Sequence, residues 1–205
     1  FKQKTAYEIP KRDWSSDVCS SDLGLGNPGR EYDGTRHNVG FRVLDALAAR
    51  HGVAFQPAKF NAEQGRWREA DVLLVKPLTF MNLSGEAVGA ACRYYKVELP
   101  DLLIVTDDVN LPLGRLRARG TGSEGGHNGL RSIAEHMGTA YSRLRVGVGR
   151  GDDRRDLADH VLARFESEER PAIDQAIVRA ADAVEMWVAD GLDRMMNLFN
   201  REQDN

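Results

Sequence analysis

From Leu23 to Gly191, short apolar runs alternate with segments of helical period, and that alternation restricts the chain to an α/β architecture. Asp71-Val72-Leu73-Leu74-Val75 and Leu102-Leu103-Ile104-Val105 read as strands, apolar as strands buried on both faces are. Arg115-Leu116-Arg117-Ala118-Arg119 alternates with a period of two and predicts a half-exposed strand with three Arg on one face. Arg143-Leu144-Arg145-Val146-Gly147-Val148 predicts a further strand. Helical spacing runs from Val39 to Arg50, from Ser84 through Ala87, Val88, Ala91, Tyr94 and Tyr95, and from Asn128 to Met137. A long amphipathic helix starts at Pro171 and stops at Gly191. With 205 residues, 41% of them hydrophobic, the chain can bury one sizeable core. The expected fold is one α/β domain with a twisted, mostly parallel sheet and helices on both faces.

No run approaches the roughly 18 apolar residues of a membrane span, and no apolar targeting segment opens the chain. Cys19 and Cys92 have neither metal-ligand spacing nor the density of a disulfide scaffold. A soluble protein of a reducing cytoplasm, without membrane contact, is expected. The net charge of −3 argues against a protein that coats nucleic acid indiscriminately, yet its distribution is uneven. Residues 115–155 hold nine Arg against Glu124, Glu135, Asp152 and Asp153, a local +5, whereas residues 156–205 carry a local −7. A basic face suited to phosphate is expected, against the plainer reading of a solvated surface. Residues 1–22 do not share the pattern of the rest: Ser-Ser-Asp occurs twice, and Trp14 to Leu23 resembles the translation of a sequencing adapter. They are set apart as a non-native tail, leaving residues 23–205 as the domain.

Three polar blocks carry the chemistry: Gly24-Leu25-Gly26-Asn27-Pro28-Gly29 followed by Thr35-Arg36-His37-Asn38, then Thr79-Phe80-Met81-Asn82-Leu83-Ser84-Gly85, then Gly125-Gly126-His127-Asn128-Gly129. Each sets Asn or His beside glycines or at the mouth of a helix, where a side chain is held and the backbone can approach a ligand. Gly24-x-Gly26-x-x-Gly29 matches the dinucleotide fingerprint formally, but its loop runs on to Asn38 and the one suitably spaced acid, Asp45, lies mid-helix. Nicotinamide binding is therefore not expected. His37, at the end of a polar loop and before a helix, is a candidate general base near neutral pH. His51, His136 and His160 are expected on helix surfaces or ends, without catalytic work.

A carboxylate would orient His37, and Asp107 and Asp108 both stand at a strand end. Strand alternation puts them on opposite faces, so only one reaches His37 easily, and Asp108 suits a solvated turn. No Ser has a nucleophile-elbow context, neither Cys is activated, and no cluster has metal spacing. Attack by water, with Asn amides and backbone N–H groups polarising a carbonyl, is the economical chemistry. Phe80 and Met81 read equally as an apolar cleft wall or as core, and Tyr32 as a stacking or a packing residue.

Together with Asp107-Asp108 and Leu111-Pro112-Leu113-Gly114, these blocks closely resemble the bacterial-type peptidyl-tRNA hydrolases, from Leu23 to about Asn200. The resemblance implies hydrolysis of the ester joining a peptide to the terminal ribose of tRNA, by a cytoplasmic monomer without cofactor or metal. It selects Asp107 as the partner of His37 and places Asn27 with them in the catalytic cleft. It assigns Tyr32, Phe80, Asn82 and Asn128 to substrate contact, and Arg119 and Arg145 to the tRNA backbone or 5′ phosphate. It also implies an aliphatic first strand, where this chain has Ser20-Ser21-Asp22-Leu23. A noncatalytic RNA-binding relative of the same fold, of the splicing type, is the alternative; retention of His37, Asp107 and the three Asn weighs against it.

Overall fold

The computed structural model describes residues 20–151 and 156–201; residues 1–19, Cys19 included, and the charged residues 152–155 lie outside the described part. Seven strands form one sheet in the order β2-β3-β4-β1-β5-β7-β6. They are β1 (Ser20–Gly24), β2 (Gln56–Ala58), β3 (Ala62–Trp67), β4 (Val72–Pro77), β5 (Leu102–Asp108), β6 (Leu116–Arg119) and β7 (Ser142–Gly147). The four central strands β4, β1, β5 and β7 are parallel, whereas β2, β3 and β6 pair antiparallel at the two edges. Within the parallel half, every residue of β4 and β5 is buried.

Helices cover both faces. Against one lie α1 (Val39–Arg50), α5 (Arg170–Asp190) and α6 (Leu192–Phe199), closing a core through Val43, Leu44, Leu47, Leu74, Leu103, Ile177 and Val184. On the other, α2 (Ser84–Tyr95) and α3 (Asn128–Met137) pack Val88, Leu130 and Ile133 over Val75 and Ile104. The short α4 (Leu157–Leu162) lies outside these layers, beside the carboxyl ends of the parallel strands. The fold class, α1, α2 and α3 therefore match their periodicities.

Four elements depart from expectation. The β2–β3 hairpin is short and polar, and α4 is a single helical piece in a charged connection; neither carries a periodic signal. Gly191 stops α5 as expected, but at φ 83° it also starts α6. Asn200 then closes the β6 edge: its Oδ1 accepts the Ala118 N–H at 2.6 Å and its Nδ2 donates to the Ala118 carbonyl at 3.1 Å. The side-chain amide thereby takes the place of a neighbouring strand.

The fourth departure is β1, which starts at Ser20 and so includes residues set apart with the tail. Asp22 pairs with Leu74 of β4 and Leu103 of β5 and shares their face, toward the core under α1 and α5. Neither carboxylate oxygen has a hydrogen-bond partner, and burial pushes its pKa well above the ordinary carboxylate value.

Candidate active site

The site lies outside the carboxyl ends of β1, β4, β5 and β7, where open parallel sheets place their ligands. Glycines let the three polar blocks converge there. A Cβ on Gly40 would stand 2.5 Å from the Val105 carbonyl oxygen and 2.6 Å from Leu25 N, so the first turn of α1 approaches the β1 loop as only glycine permits. At Gly129 a Cβ would meet Met81 Sδ at 2.6 Å and Leu25 Cδ1 at 2.9 Å. Residues from all three blocks thus touch at the start of α3.

His37 is the middle residue of a 3₁₀ turn over Arg36–Asn38 and is nearly buried. The turn is fixed from both sides. Arg36 donates through Nη1 to the carbonyls of Ala163 (3.3 Å) and Arg164 (2.7 Å) and pairs with Glu169. Asn38 donates to the Asn27 carbonyl at 2.9 Å and accepts the Asn27 N–H at 2.8 Å, which joins the His37 turn to the β1 loop.

His37 Nδ1 lies 3.0 Å from both carboxylate oxygens of Asp107. The carboxylate fixes the proton on Nδ1 and leaves the Nε2 lone pair free to accept one. Burial opposes protonation of His37, but the charge and hydrogen bond of Asp107 outweigh it and hold the imidazole pKa above the ordinary 6.5. For Asp107 burial again favours the neutral form, and the two facing imidazoles overcome it, keeping the acid far below the usual carboxylate range.

The second imidazole is His127, to which sequence reasoning gave no role. Its Nε2 lies 3.0 Å from Asp107 Oδ1 and 2.6 Å from Thr106 Oγ1. Its Nδ1 caps α3 by accepting the Leu130 N–H at 3.2 Å, so the ring proton belongs on Nε2 and points at Asp107. The signal was its place one residue before a helix that begins at Asn128. His37, Asp107 and His127 also form the one cluster of metal-ligand types found among the described residues, with ligand atoms within 4.8 Å of one another. The two His–Asp hydrogen bonds account for that proximity without an ion.

Asn27 is nearly buried, and its Oδ1 accepts the Met81 N–H at 2.8 Å. That bond fixes the amide so that Nδ2 is the donor left over. Asn82 and Asn128 are exposed, and Asn128 lines a cavity of about 210 Å³ with His37, Asp107, Leu130 and, from α4, Leu157 and Val161. Met81 is core, whereas Phe80 is 54% exposed, which separates the two roles that sequence left open. Tyr32 is half-buried in the turn after Gly29.

Arg119 is exposed on β6. Arg145 is not: its Nη1 pairs with Asp108 Oδ2 at 3.0 Å and its Nη2 donates to the Ser123 carbonyl at 2.6 Å. Asp108, expected as a solvated turn acid, is accordingly buried and also accepts the Asn110 N–H at 2.8 Å. His160, expected on a helix surface, is buried with Nε2 2.9 Å from the Gly149 carbonyl. His51 and His136 bond to Glu185 and to the Ser132 carbonyl, away from the cavity.

A family model described as peptidyl-tRNA hydrolase matches residues 23–205. The chain belongs to the peptidyl-tRNA hydrolase family. A peptidyl-tRNA hydrolase of Geobacillus kaustophilus is 48% identical over 181 residues, which are 87% of this chain and 97% of that relative. One of Chloroflexus aurantiacus is 47% identical over 182 residues, with the same shares. Among solved structures, peptidyl-tRNA hydrolase from Acinetobacter baumannii superposes with a TM-score of 0.85 at 36% identity, over 90% of this chain and 96% of that one. No described helix is long and apolar enough to cross a membrane.

Proposed function

We propose that this peptidyl-tRNA hydrolase cleaves its ester with water activated by His37, and that the His37–Asp107 pair is the feature that carries the reaction. The supporting observation is the bond of His37 Nδ1 to the Asp107 carboxylate, which leaves Nε2 as an acceptor beside an open cavity. Water gives its proton to Nε2 as its oxygen attacks the ester carbonyl, and Asp107 stabilises the imidazolium that forms. The tetrahedral intermediate then expels the ribose oxygen, which takes a proton back, and peptide and tRNA separate.

The Asn27 Nδ2 and the exposed amide of Asn82 are the donors that position the substrate and its developing oxyanion. Asn128, at the cavity rim, contacts the bound substrate, as do Tyr32 and the exposed ring of Phe80. Arg119 faces the tRNA phosphates from β6, and its exposed guanidinium suits that work. The enzyme acts in the cytoplasm as a monomer and needs no metal or cofactor. Residues 1–22 are foreign in sequence to this domain, although Ser20–Asp22 supply part of its β1.

Release of an N-acylated amino acid from charged tRNA, measured beside RNA affinity, tests the reading. Turnover supports it; RNA affinity without turnover favours the noncatalytic alternative. Asn128→Ala is expected to raise KM more than it lowers kcat. Arg119→Ala is expected to reduce the slope of log K for tRNA against log salt by about 0.7, the contribution of one contact to a single-stranded phosphate. A slope equal to that of the wild type removes Arg119 from the interface.

A further inference from the structure

The short α4 lines the cavity through Leu157, Ala158 and Val161, and His37 lines it as well. Among the described elements α4 packs chiefly on the Arg36–Asn38 turn, which carries His37. One side chain makes that joint. Arg36 is buried, and its Nη1 lies 3.5 Å from the His160 carbonyl, 3.3 Å from that of Ala163 and 2.7 Å from that of Arg164, at and just beyond the end of α4. Its Nη2 pairs with Glu169 at the start of α5, and the guanidinium stands 5.0 Å from the centroid of the Phe165 ring. The main chain is joined along the same line: the Arg36 N–H donates to the Ala163 carbonyl at 3.1 Å, and Thr35 bridges antiparallel to Arg164.

We infer that Arg36 is a positioning residue that makes α4 and the His37 turn one unit, so that the fit of the substrate's acyl part against Leu157 and Val161 is felt at His37 and read in kcat. Asp107 aims the imidazole from β5, but the spacing between the general base and the α4 wall is set by the guanidinium. Arg36 is bonded directly to His37 along the chain, and adjacent Cα atoms are about 3.8 Å apart, so a displaced guanidinium displaces the base with it. Its hydrogen bonds fork to two segments, the carbonyls after α4 and the Glu169 carboxylate, a reach that a lysine cannot reproduce. A buried pair of this kind adds little net stability over apolar packing, whereas its geometry fixes three segments at once. Catalysis is sensitive to that geometry, since a shift of about 1 Å at the reacting groups costs on the order of 10²-fold in rate.

The inference rests on the catalytic reading of His37, and its test is separable from that reading. Arg36→Lys, Val161→Ala and the double variant are compared with wild type for kcat and KM on N-acylated aminoacyl-tRNA, for tRNA affinity and for melting temperature. Lysine keeps the charge but cannot hold Glu169 and the Arg164 carbonyl together. Arg36→Lys is expected to lower kcat on the order of tenfold to 10²-fold, with KM and tRNA affinity near those of the wild type. Val161→Ala, which removes part of the wall, is expected to lower kcat when Arg36 is present and to have no further effect on kcat beside Arg36→Lys, the non-additivity of coupled sites. All variants are assayed at a temperature where each is fully folded, beside Ile177→Val, a core change under α5 that lowers stability away from the cavity and should keep kcat. The inference is overturned if Arg36→Lys retains kcat, if the effects of the two substitutions on kcat multiply in the double variant, or if Ile177→Val loses as much kcat as Arg36→Lys. Full activity in His37→Ala would overturn the reading of His37 and this inference together; loss there, with full kcat in Arg36→Lys, would overturn this inference alone.

Discussion

Replacing His37 by alanine lowers hydrolysis of N-acylated aminoacyl-tRNA by at least about 10²-fold, the low end for lost acid–base catalysis, while tRNA affinity and the melting temperature stay near those of the wild type. Two features make this the largest expected effect on activity. Nε2 is the unbonded nitrogen of a ring whose other nitrogen is locked by Asp107, so no neighbouring side chain can assume its role without moving. His127 cannot substitute, because its Nδ1 caps α3 and its Nε2 proton is committed to Asp107. The fold should tolerate the change, since the His37 turn is anchored by Arg36 and Asn38 rather than by the imidazole. Single-turnover hydrolysis and filter binding measure the two quantities separately; a variant that retains activity removes His37 from the mechanism.

The largest expected effect on stability comes from Asp22. Its carboxylate is fully buried between Leu74 and Leu103 with no hydrogen-bond partner, and burying a polar group in that state costs about 2–7 kcal/mol. That is comparable with the whole net stability of a domain, about 5–15 kcal/mol. Asp22→Val is therefore expected to raise the melting temperature by at least about 4 °C, given some 2–4 °C per kcal/mol for a chain of this size. Replacing residues 1–22 by a start codon and three or four Val, Ile or Leu should do the same and raise activity with it, because β1 runs into the loop that holds Asn27. The effect has a pH signature. The folded-state pKa of Asp22 lies above its unfolded value, so the fold binds the proton more tightly. The penalty is smallest below the unfolded pKa and grows as pH rises from there toward the folded pKa. Melting curves of parent and variant should thus converge in acid and separate toward neutral pH. Equal melting at pH 7 would mean that Asp22 finds a partner or that β1 is dispensable.

How far such features can be read from sequence depends on whether the signal is local. β4, β5, α1, α2 and α3 announce themselves because burial on both faces or along one stripe dictates composition. Their ends were legible where glycine or a polar helix-start residue stands, as at Gly52 and Asn128. The β2–β3 hairpin was not legible, since an edge strand with one exposed face and Pro57 within it carries too few apolar residues to show a period. At the site, the glycine- and asparagine-rich blocks marked the region, but pairings between distant segments carry no local trace. Asp108 looks like a turn acid until β7 brings Arg145 beside it. His127 looks like a loop residue until α3, starting one position later, turns its Nδ1 into a cap and its Nε2 toward Asp107. The same limit hid Asn38, whose amide completes the backbone of Asn27 eleven residues away.

In the proposed mechanism Asp107 acts on the reaction by holding His37 in its proton-accepting form and stabilising its imidazolium. The pH dependence of kcat/KM in wild type and Asp107→Asn tests it most directly. In the wild type, activity falls as pH drops through the His37 pKa, which Asp107 holds above the ordinary 6.5. Without the carboxylate, burial alone acts on the ring and disfavours the imidazolium, so the acid limb of the variant is expected to move to lower pH while the maximal rate falls. An acid limb at the same pH in both proteins would contradict the account, because His37 would then titrate without regard to Asp107.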